Sequence, residues 1–270
     1  MNDNDQLSKQ IEIIVKAFRL SIENASNILI SFIERLDEII IPIAKNINQL
    51  KLNLEPFILQ IGKTLQGWAE AAHKWQIDKK KNVEEMAENG WYPNWLTFFY
   101  PNCDDTLPLD DFMINHLNAD WEQITERMLE LCPNRKHILE NAFNLHLSGN
   151  YIAAIPLFLS QADGICCESL LKSFLFTENK VSENIDKLID EEKIQADMFT
   201  ELFLSPFKLR NHHNAGVSKS SALAKKLAPS RNGILHGHRK HLDYGTEMNS
   251  LKCFSLLSFV VFSTKEIIET

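Results

Sequence analysis

The sequence NRKHILENAFNLHLSGNYIAAIPLFLSQADGI, residues 134–165, contains the pattern of two helices joined by a glycine turn. Asn134 is a favourable N-cap for the first helix, which we expect to follow the break at Pro133. Gly149 can adopt the left-handed conformation that commonly ends a helix, here just after Leu147. The stretch therefore predicts a helical hairpin.

The second helix of this hairpin is predicted to run from Tyr151 to about Phe176. Pro156 could either kink it or mark its true first turn. Apolar side chains recur along one face at helical spacing: Ile152, Ile155, Leu159, Ala162, Cys166, Leu170 and Phe174. Asp163 falls on or near that face. If it is buried, it needs a cationic partner, and Arg231 is our candidate; the alternative is a surface carboxylate.

Helical spacing continues on both sides of the hairpin. We predict helices over residues 112–131, 182–204 and 220–227, and a final helix from an N-cap at Thr246 to about Ile268. Sustained strand-like alternation is absent from the sequence, and Gly and Pro occur only 9 times each. The predicted fold class is all-α, a helical bundle with an additional N-terminal helical region.

Three regions are expected along the chain. Residues 1–90 form an amphipathic helical appendage with a regulatory or interaction role. Residues 91–133 form an aromatic-rich connector followed by a helix. Because no basic residue is interleaved with those aromatic side chains, we expect them to pack in a core rather than to stack on bases. Residues 134–270 form the domain that carries the chemistry.

Composition narrows the functional class. The chain has 270 residues, of which 44% are apolar, as in a globular protein. Its 5 cysteines include no C-x-x-C pair, so a zinc knuckle or redox motif is not indicated. The sequence has no signal-peptide pattern and no apolar run near the ~20 residues that span a bilayer. We expect a cytoplasmic protein without integral membrane association.

Charge is unevenly distributed. The net charge is −8, yet no acidic residue lies between Glu201 and Asp243. That window holds eight basic residues: Lys208, Arg210, Lys219, Lys225, Lys226, Arg231, Arg239 and Lys240. It also holds five histidines: His212, His213, His236, His238 and His241. Such a block favours a local polyanion site, whatever the overall charge. The alternative is a solvated basic surface that balances an acidic body.

The stretch SRNGILHG, residues 230–237, lies inside this window. Arg231 and His236 are about 140° apart on an ideal helix, so they converge only around an irregular turn or if the arginine precedes the helix. Histidine supplies an acid or base near neutral pH, and arginine holds a phosphate as charge builds on it. Asn232 can orient either the arginine or the phosphate. This set suits RNA cleavage without a metal or other cofactor.

Arginine, a polar residue and a histidine in this spacing resemble the Arg-x4-6-His signature of the HEPN superfamily. Residues 134–165 resemble the paired helices that open many bacterial HEPN-like proteins, including a glycine and an aromatic (Gly149 and Tyr151) before a helix with a central acidic residue (Asp163). Residues 241–262 resemble the helix that follows the motif. The resemblance covers about residues 134–268.

The resemblance implies a homodimer in which two motifs form one composite cleft. It implies a metal-independent endoribonuclease, often a toxin or an abortive-infection effector in antiviral defence. Arg231, His236 and Asn232 would be catalytic, with Asp163 in support. In the branch paired with nucleotidyltransferase antitoxins, a tyrosine stands two places after the histidine; here His238 occupies that place and Tyr244 lies further along. We assign both only supporting roles.

Several alternatives remain open at this stage. Lys225, Lys226, Arg239 and Lys240 are the predicted RNA-binding residues. Arg231 and His236 could instead cap a helix, or the domain could bind RNA or a nucleotide without cutting it. The clustered histidines could hold a metal, although no nearby cysteine supports a zinc site. The chain could also be a non-catalytic helical scaffold, with residues 1–90 binding a regulatory protein partner.

Overall fold

The computed structural model describes residues 74, 77–94, 96–97, 107–168, 180–191, 204–207, 213, 217 and 226–268. All regular structure in these residues is helical, which confirms the all-α fold class. The chain divides into two compact units, Met1–His73 and Lys74–Thr270. Residues 1–73 of the predicted appendage lie outside the described residues.

The helices of the described residues are short to medium in length. They are α1 (77–88), α2 (Leu109–Ala119), α3 (Trp121–Leu131), α4 (Lys136–Leu147), α5 (Tyr151–Cys166), α6 (Lys180–Asp190), α7 (Arg231–Leu235) and α8 (Glu247–Phe262). 3-10 turns occupy Pro133–Arg135 and Arg239–His241, and a π-helical turn, Ser263–Ile268, continues α8. Among the described helices, none is long and apolar enough to cross a bilayer.

Helix α8 is the axis of the described unit. Its residues from Ser250 to Phe262 are all buried, and it packs most extensively against α5 and also against α2 and α3. A helix buried on every side must satisfy its polar groups internally. The hydroxyls do so by bonding to the preceding turn: Ser255 Oγ donates to the Lys252 carbonyl at 2.8 Å, and Ser258 Oγ donates to the Ser255 carbonyl at 3.0 Å.

An aromatic stack joins α3, α4 and α8. The Trp121 ring lies between those of His146 and Phe254, with ring centroids 4.4 Å and 4.1 Å away. His146 Nδ1 is 2.8 Å from Ser250 Oγ, and burial lowers the pKa of His146 to about 4. This histidine is therefore a neutral core residue near pH 7.

Two of the helix ends that were expected from local sequence signals, Gly149 and Thr246, are confirmed. Gly149 has φ 76°, its N–H donates to the His146 carbonyl at 2.9 Å, and the Asn150 N–H donates to the Leu145 carbonyl at 2.9 Å. This pair of bonds is a Schellman motif. Thr246 is the N-cap of α8, since its hydroxyl accepts from the Asn249 N–H at 3.2 Å.

Other boundaries differ from the predictions. The single helix predicted over 112–131 is two helices that meet at Asp120, whose backbone (φ −103°, ψ 13°) leaves the helical region. After the break, the Trp121 ring stacks on Phe254. This tertiary contact outweighs the helical spacing of apolar residues that predicted one continuous helix. The prediction that Asn134 caps α4 is wrong, because it lies within the 3-10 turn and Arg135 occupies the N-cap.

The remaining helix predictions are only partly within the described residues. The helix predicted from Tyr151 to Phe176 is described as α5, with Pro156 inside it. The helix predicted over 182–204 is described as α6. Cys167 and Glu168 continue α5 with π-helical geometry, Glu191 is a turn residue after α6, and Leu204 is helical. Residues 226–227, the described end of the short helix predicted over 220–227, are not helical. Residues 169–176, 192–203 and 220–225 lie outside the described residues.

Candidate active site

Helix α7 is a single capped turn. Ser230 is its N-cap, and Ser230 Oγ accepts from the Gly233 N–H at 3.1 Å. At the other end, Gly237 has φ 59°, its N–H donates to the Ile234 carbonyl at 2.9 Å, and the His238 N–H donates to the Gly233 carbonyl at 2.9 Å. This second Schellman motif explains the glycine directly after His236, because the left-handed conformation favours glycine. Arg231 therefore begins the turn and His236 ends it.

The Arg231 guanidinium is held on two sides. Its Nη2 lies 3.3 Å from Asp163 Oδ2 on α5, and its Nη1 donates to Asn232 Oδ1 at 3.0 Å. The Asp163 side chain is only 5% exposed, whereas that of Arg231 is 28% exposed. The predicted contact between Asp163 and Arg231 is thus confirmed. Two acceptors fix the plane of the guanidinium while part of it stays open to solvent.

His236 has a different environment. It is the C-cap of α7, and its backbone N–H donates to the Asn232 carbonyl at 3.1 Å. Its side chain is exposed, and no hydrogen bond joins it to Arg231. The two members of the motif therefore lie at opposite ends of one turn, with the arginine against α5 and the histidine facing solvent.

The turn Arg239–His241 packs behind α7. His241 is buried, and a Cβ built at Gly233 would lie 2.4 Å from its ring. Only glycine therefore fits at position 233 while the ring keeps this place. Burial, and next the Lys226 charge, lower the pKa of His241. The His238 ring lies 5.8 Å from that of His241, and His238 Nδ1 accepts from the Lys240 N–H at 3.3 Å.

The predicted RNA-binding cations have different surroundings. The Lys226 ammonium donates to the Lys240 carbonyl and, at 2.9 Å, to Asp243 Oδ1. The hydrogen bond from Lys226 lowers the pKa of Asp243. Arg239 and Lys240 are exposed beside these residues. Lys225 lies outside the described residues. Lys226 is thus engaged within its own loop, whereas Arg239 and Lys240 face solvent.

Tyr244 anchors the far end of this loop. Its hydroxyl donates to the Ile152 carbonyl at 3.1 Å, in the first turn of α5. The neighbouring Gly245 lies close to the same residue, since a Cβ there would be 2.4 Å from Ile152 Cγ1. Within the chain, Tyr244 therefore positions the loop between α7 and α8, and no bond from its side chain reaches Arg231 or His236.

Lys252 is a structural residue that the sequence predictions missed. Its side chain is 4% exposed, and its ammonium lies 3.2 Å from Asp110 Oδ1. It also donates to the carbonyls of Asn89 at 3.0 Å and Leu227 at 2.6 Å. A lone lysine in the apolar stretch of α8 was the available signal, because a buried charge requires partners. It fixes the segment that leads into α7.

His213 also supports α7. It is buried, its backbone carbonyl accepts from the Arg231 N–H at 3.1 Å, and its Nε2 lies 3.3 Å from the Gly90 carbonyl. Gly90 has φ 82°, and a Cβ there would meet Ala228 Cβ at 2.4 Å. The segment after α1, placed in the predicted appendage and connector, thus packs directly against the residues that precede the motif.

A metal site and the Cys166 thiol are the other chemistries to consider near Asp163. The described residues contain no group of three or more histidine, cysteine, aspartate or glutamate side chains that could hold a metal ion. Burial raises the pKa of the Cys166 thiol, and the neighbouring Asp163 charge raises it further. A buried thiol of this kind is inert.

Comparisons of the chain with protein-family models, with curated proteins and with solved structures give no significant match. The functional assignment therefore depends on the residues of the site and on the resemblance described above.

Proposed function

We propose that the protein is a metal-independent endoribonuclease of the HEPN type, acting as a homodimer. Arg231 would bind the scissile phosphate, and His236 would transfer protons. The observation that carries the proposal is the arrangement around α7. One capped turn begins with an arginine oriented by Asp163 and Asn232 and ends with an exposed histidine.

The chemistry assigned to these residues is transesterification. The 2′-oxygen of a ribose attacks the neighbouring phosphorus, the bond to the 5′-oxygen breaks, and a 2′,3′-cyclic phosphate forms. A proton leaves the 2′-hydroxyl and one joins the departing 5′-oxygen. Imidazole groups near neutral pKa perform both transfers well. A guanidinium whose plane is already fixed can stabilise the charge that develops on the phosphate without reorganising.

Exposed cations support a polyanionic substrate. Arg239 and Lys240 lie in the turn directly after His236, so a nucleic-acid strand that places a phosphate near His236 brings neighbouring phosphates near them. Contacts of this kind contribute affinity that does not depend on sequence and falls with salt. The overall charge of −8 would disfavour RNA binding elsewhere on the protein.

Large apolar side chains near the motif support a dimer. Four large apolar side chains are exposed here: Leu235 in α7, Ile152 at the start of α5, Leu242 in the loop before α8 and Met248 in the first turn of α8. Ile152 and Leu242 are 61% and 67% exposed. The Tyr244 hydroxyl bonds to the Ile152 carbonyl at 3.1 Å, so Ile152 lies beside the loop that carries Leu242. Exposed apolar side chains that lie close together favour a surface that another chain covers. We propose that a second copy covers this surface and that the site of the dimer includes both His236 side chains. A toxin or antiviral role follows from the resemblance, and the proposed location is cytoplasmic.

A non-catalytic scaffold that binds RNA or a protein partner is the second candidate. It is favoured by the double role of Arg231, which also neutralises a buried carboxylate and ties α7 to α5. In that case the arginine is structural, and residues 1–90 could supply the partner-binding surface. This candidate predicts RNA binding without cleavage.

The test compares RNA cleavage by three proteins in EDTA. They are the native chain, His236→Ala, and Lys136→Met as a control. Because the His236 side chain is exposed, its removal should change stability by no more than about 0.5 kcal/mol. Lys136 lies on the exposed face of α4, where it pairs with Glu140 at 3.8 Å. We expect cleavage by the native and control proteins only. Cleavage by His236→Ala would refute the assignment, and binding without cleavage by all three would favour the scaffold.

A further inference from the structure

Lys226, in the segment that precedes α7, holds the loop that follows His236 by hydrogen bonds. Lys226 donates to the Lys240 carbonyl and, at 2.9 Å, to the Asp243 carboxylate. Inside the loop, the His241 N–H donates to the His238 carbonyl at 2.8 Å. The 3-10 turn Arg239–His241 is therefore closed by its own backbone and held by an ammonium from outside it.

The same turn is fitted against α7. The His241 ring occupies the space where any side chain at Gly233 would lie, with a ring carbon 2.4 Å from the Cβ position. Burial, and next the Lys226 charge, lower the pKa of His241. The ring packs on the backbone of α7 at Gly233. Displacing the turn would open this contact and remove support from the helix that ends at His236.

We propose that Lys226 and His241 are positioning residues that hold the loop after His236 against α7, and that the RNA phosphates are contacted by Arg239 and Lys240 rather than by Lys226. The assignment to RNA rests on the proposed function, whereas the positioning role concerns the protein alone. A phosphate that approached Lys226 would also approach the Asp243 carboxylate, whose side chain is 77% exposed and would repel it. Arg239 is exposed and has no carboxylate partner among the described residues.

The first measurement uses the protein without RNA. Amide hydrogen exchange and the histidine ring signals are followed by NMR in the native chain, Lys226→Met, Lys226→Arg and the charge-matched control Lys136→Met. The Lys226–Asp243 pair is partly exposed, so its loss should speed exchange of the His241 amide only about two- to fivefold. It should also shift the ring signals of His241. Arginine should restore most of the protection, and Lys136→Met should change neither. Unchanged exchange in Lys226→Met would overturn the positioning role.

A size swap tests the fit between the turn and α7. Gly233→Ala places a methyl group in the space that the His241 ring occupies, so it should lower the melting temperature. Gly233→Ala/His241→Ala should lose less than the sum of the losses of Gly233→Ala and His241→Ala measured separately, because the ring that causes the clash is gone. A double variant whose losses simply add would show that the ring does not set the position of α7.

The second measurement uses RNA. In a His236→Ala background, which prevents cutting, Arg239→Ala should weaken binding and reduce the slope of log affinity against log salt by about 1. Lys226→Met should leave that slope unchanged. In the active protein, Lys226→Met should lower kcat about two- to fivefold with KM unchanged, since only positioning is lost. A slope reduced by Lys226→Met would overturn the assignment of contacts. If the native protein neither binds nor cuts RNA, the proposed function fails, and the hydrogen exchange alone decides the positioning role.

Discussion

Replacing Arg231 by alanine should damage the fold as well as any activity. The change leaves Asp163 as a carboxylate with a side chain 5% exposed and without its guanidinium partner at 3.3 Å. Breaking a fully buried ion pair from one side typically costs about 3–5 kcal/mol. Because the Arg231 side chain is 28% exposed, some of the pair is already screened, and we expect about 2–4 kcal/mol. In a unit of this size, that lowers the melting temperature by roughly 4–16 °C.

A double-mutant cycle separates the contribution of the Arg231–Asp163 ion pair to stability from other effects of the two substitutions. Asp163→Asn removes the buried charge but keeps an acceptor for Arg231, so it should cost less than Arg231→Ala. In Arg231→Ala/Asp163→Asn the unpaired charge at position 163 is gone, and the double variant should be more stable than Arg231→Ala alone. Calorimetry or urea unfolding of the four proteins gives the coupling energy, which we expect to be about 1–3 kcal/mol. Additive losses, or a loss below about 1 kcal/mol in Arg231→Ala, would refute this account of the pair.

This instability has a practical consequence for enzymology. Loss of RNA cleavage in Arg231→Ala would not distinguish a catalytic arginine from a structural one. Arg231→Lys keeps a cation for Asp163 but lacks the planar fork of the guanidinium, so it should stay folded and lose activity if the fork binds the phosphate.

Three further predictions concern stability. Lys252→Met should lower the free energy of unfolding by about 2–4 kcal/mol, measured by urea titration, because the carbonyls of Asn89 and Leu227 lose a buried donor; a change below about 1 kcal/mol would contradict this. Gly149→Ala should lower the free energy of unfolding by about 1 kcal/mol in melting experiments, because φ is +76° and alanine disfavours this conformation. No steric clash should add to the loss, since a Cβ there would meet nothing within 4 Å; an unchanged stability would show that the turn adapts. The pKa of His146 lies near 4 in the fold and near 6.5 in the unfolded chain, so stability should fall as the pH drops from 6.5 to 4, by at most about 3 kcal/mol. His146→Gln should abolish that part of the pH dependence, and an unchanged profile would refute the assignment.

Local signals in the sequence predicted the features that depend on a few neighbouring residues. Thr246 was identified as an N-cap and Gly149 as a helix end, and both conformations depend only on the chain within one turn. The all-α class follows from periodicity summed over many residues, so errors at single positions do not affect it.

Features that depend on contacts between residues distant in sequence were harder to predict from the sequence. The break at Asp120 exists because Trp121 stacks between residues far away in sequence, at positions 146 and 254. Asn134 is a good cap in isolation, but the chain there continues from a 3-10 turn, and the Arg135 side chain extends to Gln161 at 2.7 Å. No local pattern carries this information.

The candidate site shows the same division. The contact between Asp163 and Arg231 was predictable because a carboxylate on an apolar helix face requires a cation, and the motif supplies one. The engagement of Lys226 with Asp243 and the packing of His241 on Gly233 were not, since both depend on how a loop folds back on α7. The charge pattern of the sequence predicts that Lys226 binds RNA, whereas its hydrogen bonds favour a role in holding the loop.

The most direct test of the central claim is the chemistry of the RNA ends left by the purified native protein in EDTA. The account predicts fragments with 2′,3′-cyclic phosphates or the monophosphates that follow from them, and 5′-hydroxyl ends on the other side of each cut, all absent with His236→Ala. Fragments with 5′-phosphates, cleavage that needs an added divalent metal, or cleavage retained by His236→Ala would contradict it.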